Sequence, residues 1–384
     1  MIQINSAESI ASIFLCRSYL FLVLFLLYFL NSNYTNAQPS RTVIAEGLFN
    51  PVGLAELPNG GILIAEEGTS KDDLSGGISL LTPEGELGRL VSGITSSRES
   101  GDFPGTPLVS VSPDGSTIYI GTFATGHLWT LPVHKARHLP ESPFHPTDLT
   151  ITMSGLSNQS LISPFDMAYD PLGLPVVTDA SHNALVRETT TGKSRFFHYF
   201  SVLDYPDNPT KKIAAAPTGI TRIGDEYYVT LFGGCPYPAR SGKLVAIDEL
   251  QNQRTVIDNL NMPIDVATDN QGTVWVLEYA KFDPEYACFS EKKQHREISR
   301  PNFGFRRETG RLSRLNSEGQ LETVINNLSL PGAVLPLSDG GILVTEMDGG
   351  RLLHFQFDQS NQVDRLIPDK KYQPEIMSAD ATEA

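Results

Sequence analysis

The sequence predicts an all-β fold: a six-bladed β-propeller with four antiparallel strands per blade, closed into a ring by its N-terminal strand. Three observations carry this. One unit recurs six times along the 384 residues: a proline, a short apolar strand, a glycine-rich turn, then a second apolar strand. Self-similarity of this kind marks a repeat architecture. No apolar spacing of helical period follows residue 37. The composition is that of a folded, turn-rich chain, with 32 glycines, 26 prolines, 40% hydrophobic and 19% charged residues.

The chain opens with an apolar run from Tyr19 to Leu30, preceded by Arg17 and followed by Thr35-Asn36-Ala37. Twelve helical residues span about 18 Å, short of the roughly 30 Å hydrocarbon core. Residues 1–37 therefore read as a secretory signal cleaved near Ala37, with an uncleaved anchor as the alternative. No other stretch reaches membrane-span length, so no membrane contact is expected after cleavage. The mature protein is expected to be periplasmic or secreted, with the propeller over 38–368 and a polar tail over 369–384. Cys16 leaves with the signal. Cys235 and Cys288 remain, and an oxidising compartment permits them to pair.

The six units open at Pro51-Val-Gly-Leu-Ala, Pro107-Leu-Val-Ser-Val, Pro164-Phe-Asp-Met-Ala, Pro217-Thr-Gly-Ile-Thr, Pro263-Ile-Asp-Val-Ala and Pro331-Gly-Ala-Val-Leu. Turns follow at PNGG (58–61), SPDGS (112–116), DPLGL (170–174), IGDE (223–226), DNQGT (269–273) and SDGGI (338–342). Asn-Gly and Asp-Gly between β-rich runs are hairpin signals. Each unit offers two more strands, such as ISLLT (78–82) with LGRLV (87–91), and KLVAID (243–248) with RTVIDNL (254–260). Four antiparallel strands repeated six times make a propeller, whose closure removes exposed sheet edges. Thr42-Val-Ile-Ala-Glu-Gly-Leu parallels Thr255-Val-Ile-Asp-Asn-Leu and Thr323-Val-Ile-Asn-Asn-Leu, both outer strands. It precedes blade one, so it is expected to supply the outer strand of blade six. Gln362-Val-Asp-Arg-Leu-Ile competes for that place.

The run Val177-Thr-Asp179-x3-Asn183-x-Leu looks like an NHL-type repeat. Together with GLFNPVGLAELPNGGILIAEEG, VVTDASHNALVRE, MPIDVATDNQGTVWVLEYA and the Phe232-Gly-Gly-x-Pro-Tyr-Pro loop, the chain resembles the ScyD/ScyE family of six-bladed propellers, named from scytonemin biosynthesis clusters. The resemblance covers roughly residues 42–356 and departs in blade two and in a long blade-five insertion. It implies an exported propeller attached to a pigment pathway, and carries over no catalytic residues.

In each blade the start of the innermost strand and the loop between strands two and three surround the channel mouth. Blades three and five place Asp166 and Asp265 there, where the others have Gly53, Val109, Gly219 and Ala333. Two carboxylates could hold a divalent cation such as Ca²⁺, which wants six to eight oxygens; the simpler reading is that each caps a turn or accepts backbone N–H bonds. An acid ends the second strand in four blades: Glu66, Asp179, Glu278 and Glu346. Glu66, Glu278 and Glu346 are candidate helpers in a metal site, but repetition favours a local task repeated in each blade. Gluconolactonase-type propellers place an Asn in a Pro-Asn-Gly on their metal. Here the triplet is Pro217-Thr218-Gly219, which weakens that reading. There is no Gly-x-Ser-x-Gly and no His-Glu-x-x-His, and no histidine can be placed as the base of a sugar dehydrogenase. Gly192-Lys193-Ser194 reads as a turn.

The blade-five loop, about 279–309, holds Lys281, Lys292, Lys293, Arg296, Arg300, Arg306 and Arg307 among several aromatics. On a chain of net charge −15 such a basic loop could receive a small aromatic or anionic ligand, or a partner protein, at the channel face. That charge argues against nucleic acid, which needs a basic surface. Cys288 lies in this loop and Cys235 in the neighbouring blade-four loop, which predicts a disulfide between them. The expected state is a monomer.

Overall fold

The computed structural model describes residues 39–97, 105–123, 125–155, 160–285 and 304–357. These form six four-stranded antiparallel sheets. Blade one comprises Pro51–Glu56, Ile62–Glu66, Asp73–Leu81 and Leu87–Ser96. Blade two comprises Leu108–Val111, Thr117–Gly121, Leu128–Pro132 and Thr150–Thr152; blade three comprises Pro164–Tyr169, Pro175–Asp179, Ala184–Glu188 and Ser194–Tyr199. Blade four comprises Pro217–Ile223, Glu226–Leu231, Gly242–Asp248 and Gln253–Leu260; blade five comprises Pro263–Thr268, Val274–Glu278, Gly310–Leu315 and Leu321–Leu328. Blade six joins Pro331–Pro336, Ile342–Glu346 and Arg351–Gln356 to Ser40–Glu46. The predicted architecture is thus observed, and so is its N-terminal latch: Ser40 pairs with Gln356 and Glu46 with Arg351. The competing segment from Gln362, the expected signal over 1–37 and the expected tail over 369–384 lie outside the described residues, as does Cys288.

The strands follow from where each sits in the ring. Second strands such as ILIAE, VWVLE and ILVTE are buried at every residue, because neighbouring blades cover both faces. Outer strands are exposed or half-buried at most residues. Each of four outer strands ends in a positive-φ residue and then a buried aliphatic: Gly47 and Leu48, Gly93 and Ile94, Asn259 and Leu260, Asn327 and Leu328. In blades one, four and five the left-handed residue lies where the pairing register shifts and turns the aliphatic inward, which is why Gly and Asn hold it. The sequence similarity of the three Thr-Val-Ile strands reflects this shared ending.

Apolar clusters fill the seams between blades. One joins blade one to blade two through Leu63, Ile78, Ile118 and Leu131. Another joins blade six to blade one through Leu343, Leu352, Ile62 and Ile64, with Ala45 of the latch. Fully burying such an aliphatic side chain contributes about 1.5–3 kcal/mol. The seam between blades three and four contains an unpredicted hairpin, Leu203–Tyr205 with Asn208–Ile213, whose Leu203 and Ile213 are buried beside Phe197 and Tyr227. Gly192-Lys193-Ser194 belongs to the turn between strands three and four of blade three, as expected.

Candidate functional site

The acids that end the second strands share one task. Pro51 pairs with Glu66, Pro164 with Asp179, Pro263 with Glu278 and Pro331 with Glu346. The carboxylate therefore lies beside the corner that leads into its own blade. There it accepts the backbone N–H two residues before the proline: Phe49 to Glu66 at 2.6 Å, Ile162 to Asp179 at 2.8 Å, Asn261 to Glu278 at 2.7 Å and Ser329 to Glu346 at 2.7 Å. Blade two reverses the polarity, with the Thr122 hydroxyl donating to the Gly105 carbonyl. Repetition predicted a local task, and the structure places it on the preceding corner rather than mainly on the following loop.

Glu66, Glu278 and Glu346 also meet an arginine from farther out in the blade, and Asp179 has a histidine beside it. Arg89 reaches Glu66 at 2.9 Å, and Arg311 pairs with Glu278. Arg351 at 2.5 Å and the latch residue Arg41 at 3.1 Å both pair with Glu346. His182 lies 3.0 Å from Asp179. Burial pushes Glu66 above the ordinary carboxylate range, against the opposing pull of Arg89. Glu66, Glu278 and Glu346 thus sit in three separate blades, each committed to its own corner.

Asp166 and Asp265 behave differently, and the ring brings them together around the inner strand of blade four. Asp166 accepts N–H bonds from Met167 at 2.7 Å and, across the seam, from Ile220 of blade four at 2.8 Å. Asp265 accepts from Val266 at 2.8 Å and from Val334 of blade six at 2.7 Å. Each carboxylate clamps its own strand to the next. Gly219, adjacent to Ile220, lies so close to Asp265 that a Cβ there would stand 2.5 Å from the Asp265 Cα. Burial first, and the nearby charge of Asp265 second, raise Asp166 well above the usual range. Burial raises Asp265 to about 6. Like charges confined together favour keeping a proton on the pair.

Hydroxyls complete this belt. Thr178 donates to the Thr218 carbonyl at 2.5 Å, Thr218 to the Pro263 carbonyl at 3.1 Å, and Thr345 to the Val52 carbonyl at 2.9 Å. Thr218, which stands where a metal-binding Asn was sought, is buried and used to join blades four and five. The close approach makes a test. Gly219→Ala is expected to cost roughly 3 kcal/mol through backbone displacement, read as a lowered urea midpoint; an unchanged midpoint would refute the packing described.

A third feature lies on the loops after the second strands of blades four and five. Phe232, Tyr237, Tyr279, Phe282 and Phe305 form one aromatic cluster, with Tyr237 5.1 Å from Phe282 and 5.2 Å from Phe305 between ring centroids. Phe232 stands 5.8 Å from Tyr279, and Tyr279 5.1 Å from Phe305. Tyr279 is buried; the other four rings are half-buried. Burial, then Glu67, Tyr237 and Asp348, raise the Tyr279 phenol above its ordinary value. Arg307 pairs with Asp348 at 2.8 Å, and Arg306 lies 3.8 Å from Asp283. Phe282 and Phe305 face each other across a two-stranded hairpin, Lys281–Phe282 with Phe305–Arg306, which forms the foot of the long loop. Residues 286–303 of that loop, including Cys288, lie outside the described residues. Among the described residues no group of three or more His, Cys, Asp or Glu side chains is placed to hold a metal.

No protein-family model matches the chain, and no curated protein matches it. Solved structures do resemble it. A gluconolactonase from Xanthomonas campestris aligns at 11% identity and TM-score 0.53, over 84% of this chain and 90% of that one. A protein described as an oxidoreductase (glucose dehydrogenase) from Thermus thermophilus aligns at 16% identity and TM-score 0.51, over 83% and 99%. A structure of a nidogen/laminin complex aligns at 14% identity and TM-score 0.51, over 78% and 90%. Likeness at these identities establishes the propeller fold, which is shared by proteins of unlike function.

Proposed function

We propose that the chain is an exported, monomeric propeller that binds a small aromatic or anionic molecule, or a partner protein presenting one, at its channel face. The five-ring cluster between blades four and five carries this reading. Partly exposed rings held at fixed spacing offer edge and face contacts to a flat ligand, and Arg306 and Arg307, each beside an acid, border them with guanidinium donors. The ScyD/ScyE resemblance suggests a setting in scytonemin-like pigment biosynthesis, where the propeller would be an accessory to the enzymes rather than one of them.

Titration calorimetry with an indole carboxylate such as indole-3-acetate tests this. Saturable binding is expected, weakened roughly tenfold in Phe282→Ala, which corresponds to about 1.4 kcal/mol. Absence of heat, or equal affinity in the variant, would set the reading aside.

One observation favours a second reading, a divalent-metal-dependent hydrolase or lactonase. Asp166 and Asp265 together present four carboxylate oxygens, and a cation such as Ca²⁺ would relieve their repulsion. Each carboxylate already accepts two backbone N–H bonds, which leaves lone pairs for a shared ion. Melting in chelator and then with Ca²⁺, Mg²⁺, Mn²⁺ or Zn²⁺ separates the two. An ion at a hundred times its Kd adds about 2.7 kcal/mol. A gain that disappears in Asp166→Asn supports the metal reading, and no gain with any ion removes it.

A further inference from the structure

We propose that blade five carries a second site, apart from the aromatic cluster, which binds a neutral monosaccharide or similar polyol. A cavity of about 180 Å³ opens between the end of its second strand and its outer strand. At about 30 Å³ per water that is room for about six waters, on the scale of one pyranose with its hydroxyls.

Comparison with blade four shows why the cavity is there. Gly242 pairs with Leu260, and Gly310 with Leu328, so Lys243 corresponds to Arg311 and Asp258 to Asn326. In blade four Lys243 reaches Asp258 at 3.8 Å and the pair spans this place. In blade five the second strand ends in buried Glu278 instead of Leu231. Glu278 draws Arg311 inward, and Asn326 is left without that partner. Blade six has the same acid, but there a second arginine, Arg41, also pairs with it.

The groups left around the cavity suit hydroxyls. The side-chain amides of Asn326 and Asn327 have no hydrogen-bond partner among the described residues, and each offers both donors and an acceptor. Lys281 and Glu308 also line the space, and their charged ends are unpaired among the described residues. With Glu278 and Arg311 they balance two negative charges against two positive. A balanced set selects no net ionic charge, while mixed donors and acceptors match groups that both give and take hydrogen bonds. Lys281 and Phe282 are consecutive on one strand, so they project to opposite faces of the hairpin. The cavity and the aromatic cluster therefore occupy different sides of it.

Saturation-transfer NMR on the mature protein, with D-glucose and methyl α-D-mannoside as probes, tests the site. The expected result is saturable millimolar binding of at least one probe, weakened roughly tenfold in Lys281→Ala/Asn326→Ala and unchanged in Phe282→Ala. Both substituted side chains are exposed, so the double variant should melt with the parent. No transfer to either sugar overturns the proposal. So does equal binding in the double variant, or binding lost only in Phe282→Ala, which would move the sugar to the aromatic face.

Discussion

A chain beginning at Gly47, and so lacking Ser40–Glu46, is expected to associate more than the parent chain does and to melt roughly 10 °C lower. The strand Arg351–Gln356 would then present an unpaired edge along six residue positions, a template for another chain. Glu346 would keep Arg351 but lose Arg41. Ala45 would leave the cluster that joins blade six to blade one. Few latch side chains are buried, so most of the effect is assigned to the lost backbone ladder. Light scattering behind size exclusion reads the oligomer, and calorimetry reads the melting temperature. A monomer with the parent melting point would show that the latch is dispensable.

The second large effect concerns pH. Asp265 has a folded value of about 6 against an ordinary 3.8, because it is buried beside another carboxylate. Between these values the folded state holds a proton that the unfolded chain has released. Stability therefore falls as pH rises from about 4 through about 6, and Asp166, also raised, acts in the same sense. For Asp265 two units correspond to about 3 kcal/mol, or a melting shift of roughly 5–10 °C. Surface acids with lowered values, such as Glu226 beside Arg254, act in the opposite sense at lower pH. An optimum near pH 4–5 is expected. Asp265→Asn keeps one backbone acceptor and removes the titration, so its melting point should change far less between pH 4.5 and 7.5. A parent protein whose stability rises over that range would contradict the buried pair.

The fold was legible because the repeat is dense. Six proline-opened units and three Thr-Val-Ile strands reported both the blades and the closure, since outer strands share one ending around Gly47, Asn259 and Asn327. The corner-binding task of Glu66, Asp179, Glu278 and Glu346 was legible as a repetition but not as a geometry. Its partner is brought near only when Pro51 pairs with Glu66 and its counterparts do likewise. Asp166 and Asp265 stood out because other blades have small or apolar residues in their place. Their approach to one another depends on the narrow passage beside Gly219, which no local pattern encodes. The hairpin around Leu203 and Ile213 was missed because its strands are short, polar and interrupted by prolines. The blade-five cavity has no sequence signature either, being an arrangement of ordinary surface residues.

The latch also has a topological consequence. Ser40 lies opposite Gln356 in an antiparallel pair, so a turn of a few residues could join them and make the sixth blade one continuous sheet. The protein would then be a closed loop of chain with six corners, each where an outer strand hands over to the next inner one. Cutting that loop at a different corner, such as the one between Leu260 and Pro263, should give a circular permutant with the same blades and seams. Its first and last residues would move from one side of the ring to another, and the order in which blades leave the ribosome would change while the finished molecule did not.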